Sequence, residues 1–343
     1  MNIERKTAGF DLPHLQQQDK LHRLLSSTLL KRGGDGGEGG DKEMGRQGDK
    51  ERGRLLEDRG DEEANFPCPL VPLSPCPLVS PSPPPPWDAT HFNLHNVEIF
   101  TDATLNEQVE ILQLCSYGLL EESYFIEKAG MGYMAKMVLL AETTEERMLY
   151  ALFCGDEANH FAQISRFLPT PEPVGNNFFL RFLGDLIESQ DKTVLLFVLQ
   201  VVLEGWGLSH YRSLAKDCVD RDLALMLHSF LQDESRHHAT GVTLFDRICV
   251  TPSSQQTIIE TLASFLQMVQ VGPQSVVAAI EKVKGDLSRQ QKVKIFAELD
   301  TETHSGSRLK LLRSLMSHSH AEIILQQLQE RKSFHPFPPH KCV

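Results

Sequence analysis

The pattern Asp-Glu-x-x-His occurs twice in the chain, at Asp156–His160 and at Asp233–His237, and a further glutamate precedes each copy at the same distance. Glu127 lies 30 residues before Glu157, and Glu204 lies 30 residues before Glu234. The surroundings repeat as well. Ile126-Glu127-Lys128-Ala129-Gly130 aligns with Leu203-Glu204-Gly205-Trp206-Gly207 at an offset of 77 residues, with a glycine three residues after each glutamate. Residues three apart share a face of an α-helix, so each Glu-x-x-His offers two donor side chains to one point. A single such tetrapeptide arises by chance in acidic helices. Two copies with matched upstream glutamates point to an internal repeat of helical hairpins that converge on one site.

Hairpin geometry checks this independently of the motif. In an antiparallel helix pair, two residues sit at the same height when the turn lies midway between them. The midpoint of Glu127 and Glu157 is residue 142, and that of Glu204 and Glu234 is residue 219. Both fall at turns, Ala141-Glu142-Thr143 and Asp217-Cys218-Val219. From about Thr101 the apolar periodicity is helical, without alternating strand runs, which predicts an all-α protein. The first helix is expected from about Thr104 to Ala141. The second opens at a capping box, Thr143 with Glu146, and stops before Pro169. A short helix around Phe178 to Ile187 leads to helices at about Lys192 to Lys216 and Asp220 to Ile248. The connections are short, long and short, the order of two antiparallel hairpins joined by one crossover. At about 1.5 Å per residue, all four glutamates lie roughly 22 Å from their turns, deep in a four-helix bundle. After Thr251 as N-cap and Pro252 at the first helical position, further helices are expected over 253–271, 274–284, 286–299 and 306–331.

Four ionised carboxylates in a low-dielectric core are prohibitive without counter-charge. Two divalent cations neutralise them while the imidazoles stay neutral, so a two-metal site accounts for the pattern. Mixed oxygen and nitrogen donors suit iron or manganese. The competing reading makes Glu127 and Glu204 solvated helix residues and the histidines core residues. It leaves the equal spacings unexplained, and it fits poorly with Leu120, Tyr124, Met131 and Met134 around Glu127 or Phe197, Leu208 and Tyr211 around Glu204. Glu121 and Glu122 are the nearest rivals to Glu127, but their midpoints with Glu157 fall near Leu139, inside a helix.

Composition narrows the class. A formal net charge of -12 supplies no basic footprint for nucleic acid or an anionic membrane. Cys68, Cys76, Cys115, Cys154, Cys218, Cys249 and Cys342 form no C-x-x-C pair and read as reduced thiols. Met1 to Lys31 lacks the apolar region of a signal peptide. The apolar run Val194 to Leu203 is interrupted by Gln200 and followed by Glu204, so no membrane span is expected. A cytoplasmic protein is the expectation. Ten of the 23 glycines lie between Gly33 and Gly60, and ten of the 19 prolines between Pro67 and Pro86. Such a stretch cannot bury enough apolar surface to offset its chain entropy. The expected organisation is a partly helical segment 1–32, a disordered low-complexity insertion 33–89, a metal-binding bundle 90–250 and a C-terminal helical extension 251–343. His318, His320, His335 and His340 read as solvated tail.

Over about residues 101–250 this pattern resembles the ferritin-like di-iron carboxylate superfamily, whose members repeat Glu…(Asp/Glu)-Glu-x-x-His. Within it, the oxygen-activating branch looks closest: acyl-carrier-protein desaturases, bacterial monooxygenase hydroxylases, ribonucleotide reductase radical subunits and p-aminobenzoate N-oxygenases. Asp233–His237 is similar to the second motif of the desaturases. The resemblance implies a ferritin-like four-helix bundle, here with additional C-terminal helices. It implies that Glu127, Glu157 and His160 hold one iron, that Glu204, Glu234 and His237 hold the other, and that Glu157 and Glu234 bridge them. It makes Asp156 and Asp233 the acceptors that orient the ligand imidazoles. Manganese or a mixed pair is the alternative to two irons. Ile164 stands where radical subunits carry a tyrosine, and no rubredoxin-like cysteine module is present. Phe230 stands where the N-oxygenases carry an additional histidine, for which His238 or His210 could substitute.

The implied activity is an oxidase or oxygenase in which a reduced metal pair passes electrons to O2 and a small organic or acyl substrate, free or carrier-bound, is oxidised. An external electron donor such as a ferredoxin is expected, and a homodimer is compatible with the pattern. Gly130 and Gly207, beside the ligand glutamates, leave room for oxygen or substrate, or equally for close helix packing. Two other classes compete. A ferroxidase or peroxide scavenger without organic substrate needs no apolar cavity beside the metals. A metal-stabilised interaction protein works through its C-terminal helices.

Overall fold

The computed structural model describes residues 20–34, 84–168 and 177–343, and among these the chain is helical with no strand. Most of the expected disordered insertion, and the start of the long crossover after Leu168, lie outside the described residues. The insertion's expected end at 89 is corrected. Ordered structure reaches back to Pro84, because Trp87 is fully buried and its indole Nε1 donates to the Leu214 carbonyl at 2.9 Å. Beside it, Val219 N–H donates to the Pro86 carbonyl at 2.8 Å, tying this segment to a hairpin turn.

After α1 (Lys20–Gly34), the first hairpin pairs α2 (Leu105–Leu140) with α3 (Thr144–Ile164). Thr104 opens α2 with a complete capping box to Glu107. Thr143 caps α3 by accepting from Glu146 N–H at 3.2 Å. The expected return bond is different: the Glu146 carboxylate accepts from Glu142 N–H at 2.9 Å and pairs with Lys192 Nζ at 2.7 Å. The second hairpin pairs α5 (Lys192–Asp217) with α6 (Arg221–Phe245), the latter capped by Asp220. Between the hairpins, α4 (Phe178–Ile187) lies along α2, where Lys136 Nζ donates to the Ile187 carbonyl at 2.6 Å.

α5 departs from the regular helix expected of it. Leu195–Leu203 is π-helical, and Glu204 N–H bonds the carbonyl of Leu199, five residues back. Such expansions are rare and concentrate at functional sites. α5 is also, among the described residues, the one helix long and apolar enough to cross a membrane, where none was expected. Its apolar window is 61% buried inside the protein, as befits the central helix of a core.

Beyond Thr251, α7 (Pro252–Gln270), α8 (Gln274–Lys284), α9 (Arg289–Glu298), α10 (Thr301–Leu315) and α11 (Glu322–Glu330) follow. The single helix expected over 306–331 is two. Ser317-His318-Ser319-His320, all weak helix formers, separates them. Among the described residues no break occurs at residue 250, since those up to Lys31 and those from Pro84 onward belong to one compact unit. Its apolar interior falls into two clusters. One joins Met134, Met137, Phe153 and Leu196 to Phe265 and Leu312 of the C-terminal helices; the other joins Ile111, Leu120, Leu214 and Phe230 to Ile280 and Phe296. Along the hairpins, the motif glutamates lie between these two clusters.

Candidate metal centre

The hairpin registers carry all six expected ligands to one level of the bundle. Glu127, Glu157, His160, Glu234 and His237 are buried, and the Glu204 side chain is 15% exposed. Their donor atoms form two sets, Glu127, Glu157, His160 and Glu234 in one, and Glu157, Glu204, Glu234 and His237 in the other. Within each set the donor atoms all lie within 4.8 Å of one another. Glu157 and Glu234 belong to both sets, so they stand between the two positions. Each set therefore has the donors to hold one metal ion.

The two imidazoles are arranged alike. His160 turns Nδ1 inward, 3.3 Å from Glu127 Oε2 and 3.2 Å from Glu234 Oε1, and Nε2 outward, 3.4 Å from Asp233 Oδ2. His237 turns Nδ1 to Glu157 Oε1 at 3.0 Å, Glu234 Oε2 at 3.7 Å and Glu204 Oε2 at 4.0 Å, with Nε2 at 3.5 Å from Asp156 Oδ2. Each motif thus supplies the aspartate that faces the other motif's histidine. Arg236 in turn bonds Asp233. Phe230 stacks on His160 with ring centroids 4.0 Å apart, and Phe153 packs on His237 at 4.4 Å, which holds both rings in place.

Electrostatics shows what these groups lack on their own. Burial, with repulsion from Glu234 and Glu127, pushes the Glu157 carboxyl up to about 8. Burial and Glu234 hold Glu204 well above the usual carboxylate range. Burial opposes charge on His160, but contacts with Glu127 and Glu234 overcome it and raise that imidazole to about 10. His237 is raised by Asp156, Glu157 and Glu234 against the same opposition. Glu234 takes the ionised part, held low against its burial by hydrogen bonds from Glu204, His160 and His237. Without cations the cluster keeps protons to offset its charge. Divalent ions would replace those protons, and the oxygen and nitrogen donor set fits them.

Several contacts around the centre were not part of the sequence reading. The Tyr211 hydroxyl, from a buried position on α5, donates to Glu127 Oε1. Gln200, within the π-helical turn, accepts from Tyr133 at 2.9 Å and Tyr150 at 2.7 Å, and its amide donates to the His237 carbonyl at 2.8 Å. One side chain so ties α2, α3 and α6 to the helix that carries Glu204. Gly241 makes room for it, because a Cβ there would lie 2.6 Å from Gln200 Cγ. Gly130 makes room for a ligand, since a Cβ would lie 2.5 Å from Glu157 Oε2. The only sequence signal for Gln200 was its polarity in an apolar run.

A cavity of about 90 Å³ opens beside the centre. The carboxylates of Glu127, Glu157, Glu204 and Glu234 line it together with apolar residues including Leu183, Leu203 and Trp206. Gly207 also lines it, and a Cβ built there meets nothing within 4 Å. Glu122 and His210 are cavity residues too, and neither they nor Glu121 belong to a ligand set. His238 faces away, with Nδ1 at 3.3 Å from the Gln200 carbonyl. Ile164 is fully buried. His318 lies 3.8 Å from Asp246, and His320 bonds the Ile248 carbonyl at 3.0 Å, so each is occupied locally.

No family model, no curated protein and no solved structure matches this chain.

Proposed function

We propose that this protein is a ferritin-like di-iron oxidase or oxygenase that uses O2 to oxidise a small organic or acyl substrate. The observation that carries this reading is the largely apolar cavity bounded by four ligand carboxylates. Ferroxidase or peroxide chemistry needs no such chamber, and neither does a purely structural metal. Iron bound there would supply electrons and Lewis acidity to O2.

The chain's own residues do the rest. Glu157 and Glu234 span both metal positions. Asp233 accepts from the Nε2–H group of His160, and Asp156 faces Nε2 of His237 at 3.5 Å, an arrangement that favours the tautomer leaving each Nδ1 free to ligate. Tyr211 holds Glu127 in one orientation. Phe153 and Phe230 cover the imidazoles and exclude water. Leu183, Leu203 and Trp206 hold an apolar substrate against the carboxylates. Electrons come from an external donor such as a ferredoxin, and the substrate is a free or carrier-bound small molecule.

Protein purified under iron-replete conditions, reduced without air and mixed with O2 tests the reading. Two irons per chain and O2 uptake matched to the reduced iron are expected. Iron-free protein with no O2 uptake would end it. Gly207→Leu separates an organic substrate from storage chemistry, because it fills the cavity from a position that no ligand occupies. Iron oxidation should persist in that variant while oxidation of a trapped, co-purified ligand is lost.

A further inference from the structure

The lining of the cavity beside the metal centre restricts what can enter it. No lysine or arginine lines it, so an anionic group away from the metals finds no counter-charge. A cationic group fares no better once metal is bound, because the ligand carboxylates are then neutralised and an unpaired buried charge is costly. Glu122 does not supply the missing partner. It hydrogen-bonds the Asn177 side chain, and burial raises its carboxyl toward the neutral form.

Most other polar groups of the lining are engaged. Tyr133 donates to Gln200, and Tyr211 to Glu127. His210 and Trp206 are the exceptions: their rings stack with centroids 6.0 Å apart, both line the cavity, and neither side chain makes a hydrogen bond among the described residues. Burial pushes His210 down to about 4, so at neutral pH its imidazole is uncharged and carries one N–H donor and one acceptor nitrogen. The indole adds a second donor. Such a pair suits a hydroxyl, which both accepts and donates.

Size is set by α4. Phe179, Leu183 and Ile187, spaced four residues apart, put one face of that helix against the cavity. Phe179 meets the Trp206 ring edge-on at 6.4 Å and Phe265 at 6.1 Å, while Lys136 holds the far end of the helix through the Ile187 carbonyl. A cavity of ~150 Å³ takes the six carbons of benzene, so in proportion one of about 90 Å³ takes about four.

We propose that the cavity binds a short-chain aliphatic alcohol of about four carbons, its hydroxyl on His210 and Trp206 and its chain between the α4 wall and the ligand carboxylates. This names an uncharged, carrier-free substrate class for the oxygenase reading and rests on it, but binding is measured without turnover. Ligand-detected NMR titration of the full chain tests it. 1-Butanol should bind saturably both to the metal-free chain and to the metal-loaded chain under nitrogen. Butanoate is compared on the metal-free chain, where no metal takes its carboxylate, and butylammonium on the metal-loaded chain, where the ligand carboxylates are already neutralised. Each should bind at least about tenfold more weakly than 1-butanol. Benzyl alcohol, too large for the parent cavity, should bind only to Phe179→Ala. His210→Leu should weaken 1-butanol about fivefold, and His210→Gln, which keeps a donor and an acceptor, should restore it, both with the metal content of the parent chain. Absence of saturable 1-butanol binding, an analogue that binds the parent chain as tightly, or a His210→Leu chain without effect would each overturn the proposal. The analogue series on the unaltered chain decides the matter even if a variant fails to fold. Lack of 1-butanol binding alongside intact iron content and O2 uptake would remove the alcohol assignment and leave the oxygenase reading standing. Absence of iron and O2 uptake would strike that reading instead.

Discussion

Replacing Gly130 by alanine should separate the stability of the bundle from its hold on metal. A Cβ at this position would lie 2.5 Å from Glu157 Oε2, where ordinary contact begins at 3.4 Å, so the carboxylate must retreat by 3.4 − 2.5 = 0.9 Å. In the metal-free chain this is the far end of a flexible side chain, which can turn away while its other oxygen keeps its contact with His237. Alanine then brings its helix preference over glycine, about 1 kcal/mol. In a chain of this size that raises Tm by about 1 to 2 °C. With metal bound the same shift is several times the ~0.2 Å that metal–ligand distances tolerate. A disturbed ligand arrangement costs about 10- to 100-fold in affinity, and the upper figure removes about 2.7 kcal/mol of metal-linked stabilisation. Both ions should suffer, because Glu157 belongs to both sets. Gly207→Ala is the matched control, since its Cβ meets nothing within 4 Å. Scanning calorimetry with and without Fe(II), under nitrogen, should show both variants more stable than the parent when metal-free. Only Gly207→Ala should keep the full metal-induced rise. A Gly130→Ala chain that binds two ions as tightly as the parent would refute the placement of Glu157.

Gln200→Leu should lower stability by about 3 kcal/mol in urea denaturation, because the buried Tyr133 and Tyr150 hydroxyls lose their acceptor; a loss under about 0.5 kcal/mol would contradict the network. Asp156→Asn should weaken metal mainly at the His237 position and Asp233→Asn mainly at the His160 position, each by about 10- to 100-fold in equilibrium titrations. Equal loss at both positions in both variants would argue against the cross-paired arrangement. In the metal-free chain, Glu157 is raised from 4.5 to about 8 and His160 from 6.5 to about 10. The folded chain therefore binds these protons more tightly than the unfolded one, and the stability they contribute is full at acid pH and lost as pH rises through the folded values. Urea midpoints of the metal-free chain should fall from about pH 6 to about pH 9, and metal, which needs deprotonated ligands, should oppose the fall. A metal-free midpoint that rises over that range would count against the buried cluster.

The ligand positions were legible because helical hairpins convert sequence intervals into heights, and two equal intervals leave little freedom. Thr143 and Asp220, with the turns between them and the preceding helices, are local signals of the same kind. What stayed hidden depends on contacts between distant segments. A π-helical turn shifts the hydrogen-bond register by one residue and leaves no mark in a uniformly apolar run such as Leu195–Leu203. The resemblance implies that Asp156 and Asp233 orient the ligand imidazoles, but only the packing of α3 against α6 decides which imidazole each one meets. Trp87 sat beside a proline-rich stretch whose composition argued against order, and one buried indole reversed that.

The shared carboxylates are the centre of the account, and anaerobic Fe(II) titration followed by Mössbauer spectroscopy tests them most directly. The parent chain should bind two irons that behave as one coupled pair, and Glu157→Gln should weaken both ions together, since Glu157 serves both sets. A single iron, two uncoupled irons, or a Glu157→Gln chain that loses only one would contradict a site built on bridging glutamates.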